Sequence, residues 1–249
     1  MSQTNHCRCR YGVGVDISGD VADDPAAIQA VAALDDPSRR ALYRFVRDSD
    51  QPVTREHAAA AIGISRKLAA FHLDKLVDAG LLLAAYDATA RTKTLGRAPK
   101  AYRCAAVQVS ISIPERQPGA LAELLIDAVS TAGPDETARD AVLRVAEHRG
   151  RALGDAARAA ARPGRLGAER ALTFAEATLR SRGYEPFRTS PTCLRMRNCP
   201  FEPLAQQATD LVCGVNHRLM TGLLDGLQAH AVRAVLAPRP GSCCVELTS

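Results

Sequence analysis

No stretch of this 249-residue chain approaches the roughly eighteen consecutive apolar residues that a membrane-spanning helix needs; the nearest, "GLLLAAY", is far too short. The amino terminus, "MSQTNHCRCRYGVGVDISGD", lacks the apolar run of a secretory signal. The expectation is a cytoplasmic protein with no membrane partner, and in that compartment stable disulfides are rare. Catalytic signatures are missing as well. There is no Cys-x-x-Cys pair, and "GVGVDISG" has neither the spacing nor the preceding strand of a phosphate-binding loop. An enzyme is therefore not expected. Aromatic residues are scarce at 4%, so the core must rest on aliphatic side chains and on abundant alanine. Lysine is scarce too: 28 of the 32 basic residues are arginine, and the net charge of +5 permits a polyanionic partner without requiring one.

What is present is an ordinary apolar fraction, 47%, with helix punctuation in the first half. Residues 1–23 read as a disordered tail that carries His6, Cys7 and Cys9. Asp24-Pro25 and Asp36-Pro37 each place an N-cap before a proline at the first helical position. The helix after Asp36 gathers Ala41, Leu42, Phe45 and Val46 on one face. Thr54 caps "REHAAAAI", which Gly63 ends, and Ser65 caps "RKLAAFHLDKLVDA", which Gly80 ends. The order that follows is strand, basic loop, strand.

Two short helices joined by the turn "IGIS" make a helix-turn-helix. On its second helix Ala69, Leu73, Leu76 and Val77 can face a core. Arg66, Lys67, Ala70, Phe71 and Lys75 then fall on the opposite side, where small and basic residues suit a major groove. Between Thr54 and Arg103 nine Lys or Arg stand against four Asp or Glu. In the loop, Arg91, Lys93, Arg97 and Lys100 are candidate phosphate contacts. His72 has two readings of equal weight, a phosphate contact or a packing role.

About seventy residues, with "DPSRRALYRFV", "S…HLDKLVDAGLL" and "GRAPKAY" as the carrying motifs, resemble winged-helix regulators of the ArsR-like and MarR-like kind. The resemblance implies a homodimer on double-stranded DNA. The expected fold class is α+β: a winged helix-turn-helix over 24–113, long central helices for dimerisation over 114–166, and a small α+β domain over 167–249. The helical periodicity runs from Leu121 to about Ala161.

Most of the thiols fall late: Cys193, Cys199, Cys213, Cys243 and Cys244. Cys199 precedes a proline turn, Cys213 lies on the next helix, and Cys243 begins the last strand. "PFEP" bends the chain, so three of these thiols can converge, although spacing alone does not require it. Buried packing, a metal site and a thiol redox switch all stay open. The pattern "NCPF…LVC…GSCCV" resembles the carboxy-terminal domain of SufR-like repressors, which regulate iron–sulfur cluster assembly genes. That resemblance implies an iron–sulfur cluster on Cys199, Cys213 and Cys243. His217, four residues past Cys213 on the same helical face, is a candidate fourth ligand. The same set would also suit zinc, the alternative cofactor, and sensing of thiol redox state or of a small ligand are further alternatives. Cys193, Cys244 and Cys104 are expected to pack.

Overall fold

In the computed structural model, residues 24–86 and 99–249 are described, and the chain divides after residue 111 into two compact units. The expected tail, with His6, Cys7 and Cys9, and the loop residues Arg91, Lys93 and Arg97 lie outside the described residues.

The first unit holds α1 (Pro25–Ala33), α2 (Pro37–Arg47), β1 (Val53–Thr54), α3 (Arg55–Ile62), α4 (Arg66–Asp78), β2 (Leu82–Tyr86) and β3 (Lys100–Cys104). Local chemistry sets each helix start. The side chains of Asp24, Asp36, Thr54 and Ser65 accept from the amides of Ala26, Arg39, His57 and Leu68, satisfying donors that an uncapped helix leaves open. Gly63, at φ 72°, turns α3 into α4 in the left-handed conformation that a side chain disfavours. Two antiparallel pairings give the sheet order β1-β3-β2, with Leu82 opposite Cys104 and Tyr86 opposite Lys100. Leu42, Val46, Val53, Leu73, Leu76, Leu82 and Tyr102 form the core.

The second unit contains α5 (Pro118–Thr131), α6 (Ala138–Ala161), α7 (Ala168–Arg180), β4 (Pro186–Ser190), β5 (Cys193–Met196), α8 (Leu204–Gln207), α9 (Thr209–Gly226), β6 (Arg233–Leu236) and β7 (Val245–Thr248). Its antiparallel sheet runs β4-β5-β7-β6. Leu194, Met196, Val245 and Leu247 point from the sheet into a core shared with Leu172 and Leu179 of α7 and Met220 and Leu223 of α9. A second core joins Leu121 and Leu124 of α5, Val142 and Val145 of α6, and Val212 and Val215 of α9, with Cys199 and Phe201 from the loop after β5.

Two expectations need correction. The helical stretch from Leu121 to Ala161 is two helices: Gly133-Pro134 interrupts it, and the Thr137 hydroxyl caps α6 by accepting from the Asp140 amide at 3.1 Å. Residues 114–166 are also not a region apart from 167–249, because both belong to one unit in which α6 lies along α9. Glycines explain the contact. Gly150 and Gly154 face the backbone of Leu219, Leu223 and Leu227, and Gly222 and Gly226 face that of Glu147 and Arg151. The helices run parallel, and a Cβ at any of these four positions would enter the partner's main chain.

Candidate functional site: a recognition helix and a corner of four thiols

The first unit offers a basic surface on α4. Arg66, Lys67, Phe71 and Lys75 are exposed and Ala70 is half-buried, while Ala69, Leu73 and Leu76 are fully buried beneath them. Phe71 is 54% exposed, a large apolar ring left in water, and Leu68, one turn earlier, is exposed as well. His72 is buried beside Phe71 and takes the packing role; its Nδ1 lacks a hydrogen-bond partner.

Lys100 departs from its expected part. Its ammonium sits 2.5 Å from Asp74 of α4, and the Tyr102 hydroxyl donates to the same carboxylate oxygen at 3.0 Å. Lys100 is thus a strut between β3 and α4 rather than a free phosphate contact, because its charge is already answered. Burial, and then the Asp74 carboxylate, push the Tyr102 phenol well above its ordinary pKa. Lys75 has a looser, exposed neighbour, Asp78 at 3.6 Å, of the sort that adds little.

Replacing Arg66 and Lys67 together with alanine is expected to weaken binding to generic duplex DNA and to flatten the plot of log affinity against log salt by up to about two. Fluorescence anisotropy at several salt concentrations measures this. Both side chains are exposed and the Ser65 cap is untouched, so the melting temperature should hold.

The second unit gathers thiols at one end of its sheet. The Cys243 amide donates to the Met196 carbonyl at 3.1 Å, which continues the β5–β7 pairing and sets Cys243 beside the loop of Cys199. That loop is strapped from outside. Arg116 donates to the Cys199 carbonyl at 3.2 Å and pairs with Glu202 at 3.2 Å, and the Gln117 amide donates to the Pro200 carbonyl at 2.7 Å. Asn198 holds the loop's base, accepting from the Glu185 amide and donating to the Gly183 carbonyl, each at 2.7 Å. Cys213, on α9, packs against the same core as Cys243 and Cys244.

The thiols influence one another: Cys199 with Cys243, Cys243 with Cys244, and Cys213 with all three. The neighbouring Cys243 thiol, then burial, push Cys199 well above the ordinary thiol range. Cys199 in turn draws Cys243 down, but Cys244 and burial outweigh it and leave Cys243 at about 12. Burial raises Cys213 despite an opposing interaction with Cys244, and Cys199, Cys243 and Asp210 add to the rise.

Cys244, expected only to pack, belongs to this group. It lies at a bend just before β7, and it and Cys243 are both buried. His217 is directed to β6, where its Nε2 meets the Ala234 carbonyl at 3.1 Å. Cys193 and Cys104 are half-buried, one opening β5 and the other closing β3.

Among the described residues, no three His, Cys, Asp or Glu side chains are drawn together tightly enough to hold a metal ion as they stand. Zinc needs four donors about 2.0–2.3 Å from a single point. An iron–sulfur cluster spreads its thiolates over more than one iron. The thiols suit that group in donor chemistry.

Residues 34–83, which run from the approach to α2 into β2, match a family model described as a helix-turn-helix domain. No curated protein and no solved structure matches the chain. The matched family is a DNA-binding regulatory one and not an enzyme family, which supports a DNA-binding transcriptional regulator. Among the described residues, no helix is long and apolar enough to cross a membrane.

Proposed function

We propose that this chain is a homodimeric winged-helix repressor whose second unit senses an iron–sulfur cluster held by Cys199, Cys213 and Cys243. The order α2, α3, α4, β2, β3, with β1 as a third strand, supports the winged helix. The observation that carries the sensing is the convergence of thiols from a loop, a helix and a strand end that are far apart in sequence. Leu125, Ile126 and Val129 leave an exposed apolar stripe on α5, the kind of surface that a second copy covers. The dimer would place two α4 helices on one palindromic site.

Cys199, Cys213 and Cys243 would supply thiolates, and Cys244 would be a fourth donor. When bound, a cluster contributes an oxidation-sensitive cross-link among these sulfurs. The chain then has to favour one DNA-binding state in the cross-linked form. About 1.4 kcal/mol of differential binding suffices for a tenfold change in DNA affinity.

The mutual influence of the Cys199 and Cys243 thiols, with the Cys243 amide bonded to the Met196 carbonyl beside the Cys199 loop, favours a second reading, a thiol switch in which an oxidant such as a peroxide joins these two sulfurs. Anaerobic purification separates the readings. The first predicts a brown protein with broad visible absorbance and with iron and sulfide in equal amounts. A colourless protein with stoichiometric zinc, or with no metal and a peroxide-induced Cys199–Cys243 link, would overturn it.

A further inference from the structure

We infer that Asn216 and Tyr184 are positioning residues for Cys243, forming a buried relay that aims an N–H at its sulfur. The inference rests on the reading of Cys243 as a cluster ligand.

The relay is built from three residues on three elements. Asn216 lies in the middle of α9 and is completely buried among apolar neighbours such as Val212, Val215 and Met220. A leucine would fill that position without a polar group to satisfy. An amide withdrawn from water is costly unless its hydrogen bonds are restored. Here they are restored at both ends. The Tyr184 hydroxyl donates to Asn216 Oδ1 at 2.5 Å, and Asn216 Nδ2 donates to Cys243 Sγ at 3.1 Å. Tyr184 is itself 3% exposed, just past the turn that follows α7, so its hydroxyl has little access to water.

The order of the bonds is what matters. With the Tyr184 hydroxyl donating to the amide oxygen, the NH2 group of Asn216 faces the thiol. A turned amide would instead present an oxygen, which repels a thiolate. The Cys243 amide, bonded to the Met196 carbonyl, holds the same residue from its backbone. Cys243 is therefore held at both main chain and sulfur. A hydrogen bond to a ligand sulfur withdraws electron density from it, and such bonds are among the quantities that set the reduction potential of an iron–sulfur centre. The relay makes the loaded protein easier to reduce.

The test uses full-length protein reconstituted anaerobically with ferrous iron and sulfide. Tyr184→Phe keeps the ring and removes the donor, while Asn216→Leu removes the N–H. Midpoint potentials are read by dithionite titration. Both variants are expected to shift to lower potential, Asn216→Leu by more. Melting of the metal-free proteins checks folding, and Tyr184→Phe decides the matter if Asn216→Leu does not fold. In metal-free wild type, the Asn216 side-chain amide is expected to exchange with deuterium slowly, and faster in Tyr184→Phe. A brown protein whose variants share the wild-type midpoint would overturn this inference alone. So would an Asn216 amide that exchanges like an exposed asparagine. A colourless wild type would overturn the cluster reading and this inference with it.

Discussion

Gly222→Ala should destabilise the second unit by about 3 kcal/mol or more, although alanine is the better helix former by about 1 kcal/mol. The reason is contact between main chains. A Cβ on Gly222 would fall onto the Glu147 carbonyl and crowd the Arg151 amide, which are backbone atoms and cannot turn aside as a flexible side chain would. The helices must separate instead. Separation opens the packing that both cores share, since α9 supplies Met220 and Leu223 to one and Val212 and Val215 to the other. Overpacking of a tight core usually costs about 1–3 kcal/mol, and more when the backbone has to move. Gly154→Ala should act similarly from the other helix, where the Leu223 carbonyl and the Leu227 amide stand in the way. The double variant should lose less than the sum, because one separation relieves both clashes. Gly119→Ala, at a position of α5 with open space around it, is the control and should be neutral or slightly stabilising. Urea unfolding followed by circular dichroism measures all of these. A Gly222→Ala midpoint equal to that of the control would show that the two helices do not depend on close approach.

The first unit was legible because its determinants are local. Asp24, Asp36, Thr54 and Ser65 announce helix starts within three residues of themselves, and Gly63 marks the turn. The buried stripe of α4 followed from helical spacing alone. What escaped was long-range. Lys100 reads as a loop cation until Asp74, 26 residues earlier, is brought beneath it. The break at Gly133-Pro134 was hidden because apolar spacing resumes on both sides of it, in Leu121 and Leu124 and again in Val142 and Val145. The glycine pairs were plain in "RGRALGD" and "TGLLDG", but glycine in a helix reads as weakness until a second helix lies against it. At the thiol corner, Cys199, Cys213 and Cys243 came from a pattern, whereas Cys244 was set aside because Cys243 fits the ending of that pattern better. Both Cys243 and Cys244 lie before β7, and both are buried. Asn216 carried no signal at all. A lone polar residue on a helix reads as surface, and only the fold shows its burial against Tyr184 and Cys243.

Cys199→Ser should keep the fold and abolish the regulated change in DNA affinity. The exchange is nearly isosteric. The loop that carries Cys199 is held mainly by groups the substitution leaves alone: Arg116 on its carbonyl, Gln117 on the Pro200 carbonyl, and Asn198 at its base. The sulfur is what is lost, and with it the thiol group's member from the loop after β5. In wild type, anaerobic reconstitution with ferrous iron and sulfide should change the dissociation constant for operator DNA about tenfold or more, which needs only about 1.4 kcal/mol. In Cys199→Ser the two preparations should agree within about twofold, a difference worth only about 0.4 kcal/mol. Cys193→Ser is the matched control, since it removes a half-buried thiol at the opening of β5 that takes no part in the group. Its response should equal that of wild type. Circular dichroism of each metal-free variant guards against loss through unfolding. If Cys199→Ser kept the full response while folded, the thiol corner would not be the sensor, whatever it binds. If Cys193→Ser lost the response as well, the effect would belong to cysteine removal in general and not to the group.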